Sequence, residues 1–183
     1  ENEDEFYTVL FTEWANLLET YKPTDLICRK LFVELIQKIP TMEKFIGFLN
    51  VSFKISYDAF LVGDPQSNVF KAIDALAFLV VQMIVYQNNS LGVSRSKFLS
   101  VVLVAFQSKL ALHANDKQFN GRPFFRFVSV ILSYWQQLYV AGFDIIADEG
   151  VKNELIEFNK ELYTVITDML HICQPMFFPS FSF

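Results

Sequence analysis

The chain has 183 residues, 15 Lys and Arg against 20 Asp and Glu for a net charge of −5, and a hydrophobic fraction of 52%. With only 6 Gly and 6 Pro, it cannot be a collagen-like or loop-rich chain, and it is too apolar to stay disordered. A single domain is the default at this length, able to bury roughly two thirds of its unfolded surface around one core.

Cys28 and Cys173 are the only cysteines and lie far apart. That spacing excludes a metal knuckle, a Cys-x-x-Cys redox pair and a disulfide framework, and two buried thiols in a reducing compartment are expected. The chain opens Glu1-Asn2-Glu3-Asp4-Glu5, acidic where a secretory signal is basic. The missing initiator Met is what a piece cut from a longer chain would have. The longest apolar stretch, Ala75 to Tyr86, is broken by Gln82. It falls short of the ~20 residues that span a bilayer, so a buried helix and no membrane are expected. Charge is uneven: −6 over residues 1–21, +6 over 22–143 and −5 over 144–183. The basic middle, with Arg95, Lys97, Lys109, Lys117, Arg122 and Arg126, raises RNA binding as a reading. Scattered bases on a helical surface are a solvated face more often than a phosphate track, and the net charge opposes polyanions, so direct RNA binding is not expected.

Breakers divide the chain. Pro23, Pro40, Pro65, Pro123 and Pro175, with Gly63, Gly92, Gly121, Gly142 and Gly150, fall between apolar segments, and only Gly47 sits inside one. An interior helical Pro costs about 3 kcal/mol and a Gly about 1 kcal/mol, so this placement predicts long helices. Seven are expected, over residues 3–21, 24–39, 41–62, 67–87, 94–114, 122–140 and 148–173. Thr24, Thr41, Ser67 and Ser94 are candidate N-caps, while Asp25 and Glu43 place negative charge in first turns. In the last helix Leu155, Phe158, Leu162, Val165, Ile166, Met169 and Ile172 recur at three- and four-residue spacing, which predicts one face in and one in solvent. Phe98 to Phe106 and Phe124 to Trp135 are apolar nearly all round, which predicts two central helices. Helices of this length joined by short links suit an α-solenoid of HEAT type as well as a compact bundle. The aromatic run Phe119, Phe124, Phe125 and Phe127 reads as core.

The sequence offers little chemistry. Its two histidines, His113 and His171, have no partner at helical metal-ligand spacing, and Asp116 beside His113 reads as a helix-end contact. There is no Gly-x-Ser-x-Gly, no Walker loop and no Gly-x-Gly-x-x-Gly. No enzyme and no cofactor are expected. A helical chain with a full core and no site is read as an interaction scaffold that acts through its grooves.

The segment Phe119-Asn120-Gly121-Arg122-Pro123-Phe124-Phe125-Arg126-Phe127, running on to Leu132, resembles a signature of the C-terminal domain of the large Not scaffold in the CCR-NOT deadenylase complex. His171 to Phe183, with Pro175, Pro179 and Phe181, is similar to a second stretch of that domain, and Ile55-Ser56-Tyr57 and Asp74-Ala75 are weaker echoes. Together they place residues 41–183 on the first half of such a domain, so residues 1–183 are read as one helical domain forming its N-terminal half. Gly121 departs from the family's long polar residue, and the chain ends where the family continues into a helix. In the first motif Pro123 suits a first helical turn, Arg122 and Arg126 reach out on one face, and Phe124, Phe125 and Phe127 enter the core, so the signature is read as mainly structural.

The resemblance implies a HEAT-like platform without activity or cofactor, in the cytoplasm and also the nucleus. Such a platform docks the smaller Not-box subunits and, in animals, short linear motifs of translational repressors. Phe177, Phe178, Phe181 and Phe183 are expected to meet a partner or the domain's continuation. The alternatives are an unrelated α-helical interaction domain and an RNA-binding or enzymatic one.

Overall fold

The computed structural model describes residues 2–63, 69–86, 91–112, 121–142 and 148–177, in which seven helices and no strand occur. Helix α1 (Asn2–Leu17) begins with Glu3, Asp4 and Glu5 against the positive end of its dipole. It turns Tyr7, Leu10, Phe11 and Trp14 inward at helical spacing. It stops at Leu17, four residues before the position expected from the sequence, and a looser turn carries the chain on through bonds such as Tyr21 N–H to the Leu17 carbonyl at 2.8 Å.

Helix α2 (Leu26–Lys38) is preceded by Asp25 as N-cap residue, where Thr24 was expected to cap. Asp25 is not free to cap through its side chain. Its Oδ2 accepts instead from the Lys22 N–H at 2.8 Å and closes the turn around Pro23. α2 ends at Lys38, and Pro40 disfavours a helical Ile39. Cys28 faces inward, where burial and then Asp25 push its thiol above the ordinary value.

Helix α3 (Met42–Val62) is capped by Thr41, whose Oγ1 accepts from the Lys44 N–H at 3.2 Å. By length and composition α3, rather than the stretch the sequence singled out, would suffice to cross a bilayer. Here it buries Phe45, Phe48, Leu49, Ser52, Phe53, Ser56 and Tyr57 and packs on α1, α4 and α5. Helix α4 (Lys71–Tyr86) is the expected buried helix, with Ile73, Ala75 to Ala77, Leu79 to Val81, Met83 and Ile84 all inaccessible. Gly92, with φ of 76°, makes the turn that follows, a backbone that favours Gly.

Helix α5 (Arg95–Ala111) is capped by Ser94, which accepts from the Lys97 N–H at 3.2 Å. It lies against α3, α4, α6 and α7. Helix α6 (Arg122–Gly142) departs from the sequence reading. It is an outer helix seated on α4, with Phe124, Phe127, Val128, Ile131, Tyr134 and Trp135 inward and Arg126, Ser129 and Ser133 outward. The inward residues recur at three and four, so one face suffices to bury them. Helix α7 (Glu149–Phe177) packs on α5 with the expected single face in, and it runs past residue 173 through Pro175. Pro175 has no N–H to give the His171 carbonyl, so that backbone bond is lost two residues before the helix ends.

Aromatic rings join the layers. Phe106 of α5 stacks on Phe53 of α3 at 4.7 Å and meets Phe127 of α6 at 4.8 Å and Phe124 at 5.8 Å. Trp135 of α6 meets Phe158 of α7 edge-on at 4.9 Å and donates through Nε1 to Asn159 Oδ1 at 2.9 Å. Each such ring pair adds about 0.5–1.5 kcal/mol beyond its buried area.

Two stability tests follow from this packing. Phe106→Ala removes the ring shared by three helices and should cost about 3–5 kcal/mol in urea unfolding; a loss below about 1 kcal/mol would show that its neighbours collapse into the space. Gly47→Ala should do the opposite. Its Cβ would meet Tyr7 Cε2 at 3.4 Å, an ordinary contact, so the helical gain of about 1 kcal/mol should appear as a raised melting temperature. A lower melting temperature would mean that α1 and α3 need the Gly to approach.

Candidate docking surface

The Arg122–Phe127 segment opens α6. Pro123 sits in its first turn, and Phe124 and Phe127 are fully inside. Phe125 is half-buried and meets Phe124 edge-on at 5.7 Å. Arg126 faces outward and forms a two-pronged pair with Asp74 of α4, Nε to Oδ1 and Nη2 to Oδ2, both at 2.7 Å. That hydrogen bonding raises the Arg126 guanidinium above its ordinary value, against a smaller lowering by burial. The Phe70 ring lies between two cations, with Arg126 Cζ at 5.3 Å and Arg122 Cζ at 5.5 Å from its centroid. Phe60 of α3 packs on Phe70 at 5.3 Å. Ser56 Oγ donates to the Ala72 carbonyl at 3.2 Å, and Trp14 Nε1 to the Ala75 carbonyl at 2.8 Å. The short segments around Ser56, Asp74 and Arg126, distant in sequence, therefore meet where α3, α4 and α6 converge.

Phe119, Phe178, Pro179, Phe181 and Phe183 lie outside the described residues, as do Ser67, His113, Asp116 and Lys117. The backbones of Pro175 and Phe177 belong to the last turns of α7, and their side chains lie outside the described part, like those of Ile172 and Cys173. Among the middle bases, Arg95 is buried and paired with Glu154, and Arg126 is held by Asp74. Among the described residues no three His, Cys, Asp or Glu side chains gather as metal ligands.

A groove of about 310 Å³ opens between α3 and the end of α5. Its floor is the buried Phe53, Tyr57, Phe106 and Leu110, and its rim carries Asn50, Lys109 and the Lys54–Asp58 pair at 2.9 Å. Leu112, 74% exposed, stands at its edge. An apolar floor inside a polar rim suits an inserted side chain of a partner. Of these the sequence named Tyr57 as part of a weak family echo, Phe106 as core and Lys109 as a scattered base, and none as a docking residue. Their apolar members read as core, and only the meeting of α3 with α5 turns them into a lining.

No protein-family model matches the chain. It is 33% identical over 181 residues to General negative regulator of transcription subunit 1 of Saccharomyces cerevisiae, an alignment covering 96% of the chain and 8% of that protein. A solved structure of the Not1 C-terminal domain in complex with Not4 superposes with a TM-score of 0.82 and 29% identity, over 98% of this chain and 36% of that one. In sequence and fold the chain matches part of a Not1 C-terminal domain. Of the two architectures left open by the sequence, this decides for the helical repeat of the Not1 type. The chain spans less than a tenth of the curated relative and little over a third of the solved Not1 chain.

In this Not1-type fold the Asp74–Arg126 pair is a test of how the three-helix junction is held. Arg126 is 42% and Asp74 14% exposed, so solvent screens much of the pair. A double-mutant cycle with Asp74→Asn and Arg126→Gln should give a coupling of about 1 kcal/mol, helped by the two-pronged geometry. Coupling near zero would assign the junction to packing around Phe70 alone.

Proposed function

We propose that the chain is a non-catalytic docking module of the CCR-NOT deadenylase complex, forming the N-terminal half of a Not1-type C-terminal domain. In this reading it binds smaller Not-box subunits and regulatory adaptors in mRNA decay and translational repression, in the cytoplasm and the nucleus. The observation that carries the reading is the likeness, across 98% of the chain, to a Not1 domain solved with Not4 bound. The α3–α5 groove supplies a place for docking. Its floor accepts one apolar side chain of a short motif, and Lys109 on the rim pairs with an acidic residue of the same motif.

The test is co-purification with Not4-type and Not-box subunits, using the full-length protein and the chain alone. Asn50→Arg fills the groove mouth, and Leu112→Asp removes its exposed apolar edge. Each should weaken capture of a groove-bound adaptor about tenfold or more while leaving the melting temperature unchanged. Capture that survives both changes would move docking to another surface. A full-length protein that recovers no CCR-NOT subunit would overturn the assignment itself.

A further inference from the structure

A second groove, of about 490 Å³, lies at the opposite end of α5, between its first turn and α7. Arg95 and Lys109 are 14 positions apart on one helix, which separates the two grooves by roughly 20 Å. On the α7 side Glu154, Glu157 and Glu161 form one ridge, with Asn153 beside them; Ser94, Arg95 and Ser96 form the other wall. The ridge is only partly neutralised. Arg95 Nη1 pairs with Glu154, the Ser96 hydroxyl donates to Glu161, and Lys160 reaches Glu157 at 3.1 Å from the exposed side.

The wall holds a donor without an acceptor. The Arg95 side chain is 3% exposed; its Nε donates to the Ile84 carbonyl at 2.7 Å and its Nη1 to Glu154, but Nη2 has no partner. A buried charged group with an unmet N–H carries a standing cost that an incoming acceptor removes. An anion such as phosphate would meet that donor but face three carboxylates. A metal ion or polyamine would suit the carboxylates but bring no acceptor. An extended basic peptide brings both.

We propose that this groove docks a basic, extended segment of a partner protein. A backbone carbonyl of the segment accepts from Arg95 Nη2, and its Lys or Arg side chains pair with Glu157 and Glu161. Nη2 is inaccessible in the unbound chain, so binding requires Glu154, 48% exposed, to turn outward toward the incoming cation as the carbonyl enters. The interaction is independent of the CCR-NOT reading and can be tested on the purified chain.

The probe is a fluorescein-labelled peptide of alternating Lys and Ser, titrated by anisotropy beside its Glu-Ser counterpart. Glu157→Gln with Glu161→Gln should weaken the basic peptide on the order of tenfold, the effect of two partly exposed pairs. Both positions are solvent-facing, so the melting temperature should hold. The control, Glu3→Gln with Glu5→Gln, makes the same change in net charge on α1 and should leave binding within about twofold. Equal weakening by the two pairs of changes would reduce the effect to diffuse attraction and overturn the proposal. The Arg95 guanidinium NMR signals provide the second readout. They should move with the peptide and stay put with spermine, which has cations but no carbonyl. Movement with both, or with neither, would remove Arg95 from the site.

Discussion

Helix α4 is buried along most of its length, with only Lys71 exposed among its described side chains, and the arrangement of the other helices follows from covering it. α1, α3, α5 and α6 all pack on it, and each brings a side chain that answers one of its polar groups or closes one of its flanks. Trp14 of α1 donates to the Ala75 carbonyl, Ser56 of α3 to the Ala72 carbonyl, and Arg95 of α5 to the Ile84 carbonyl. Gln82, the one polar residue in its apolar run, is fully buried. It donates through Nε2 to the Pro23 carbonyl at 2.8 Å and to the Tyr134 hydroxyl at 3.2 Å, tying the α1–α2 link and α6 to the same helix. A buried amide tolerates few alternative packings because leaving it unmet is costly. Its Oε1 has no partner, so Gln82 ties its neighbours together through two donations from Nε2 while its unmet acceptor costs stability.

Seven helices, their order and their approximate extents were legible because Pro and Gly fall between segments and because Thr41 and Ser94 carry local cap chemistry. α4 was legible as buried from its long apolar run, interrupted only by Gln82. The misreadings have physical causes of the same kind. Asp25 outcompeted Thr24 as the residue preceding α2, while its carboxylate was taken by the Lys22 amide, a contact set by the Pro23 turn. α6 looked apolar all round because Phe125, Val130 and Leu132 flank its buried face, and the exposed line of Arg126, Ser129 and Ser133 was too sparse to outweigh them. α7 runs through Pro175 even though the bond to the His171 carbonyl is lost there, so a Pro near the C-terminus did not mark the boundary.

The candidate surfaces were less legible, for a different reason. A motif is local, whereas a groove exists only between helices. The Arg122–Phe127 segment could be read as partly outward and partly core, and the structure places it so. Its partners, Asp74 of α4 and Phe70 just before it, lie more than fifty positions earlier. Phe53 and Phe106 carry the same information in sequence as any other core Phe. What distinguishes them is that their stacked rings lie at the edge of the α3–α5 contact and form the floor of a groove among the described residues.

A platform for docking must hold its grooves open before a partner arrives, since a surface that orders only on binding loses affinity to the ordering. The Phe53–Phe106–Phe127 cluster, joining α3, α5 and α6, and the Trp135–Phe158 contact, joining α6 and α7, meet that requirement. The first fixes the spacing of α3 and α5 beneath the apolar groove. The second fixes α7, and with it the acidic ridge, against the α5–α6 layer. Because both grooves share α5 as one wall but use its opposite ends, occupants of the two are about two helix diameters apart and need not collide. A single rigid helix can thus present an apolar slot and a basic-peptide slot side by side. Such an arrangement would let one helix serve both proposed docking sites.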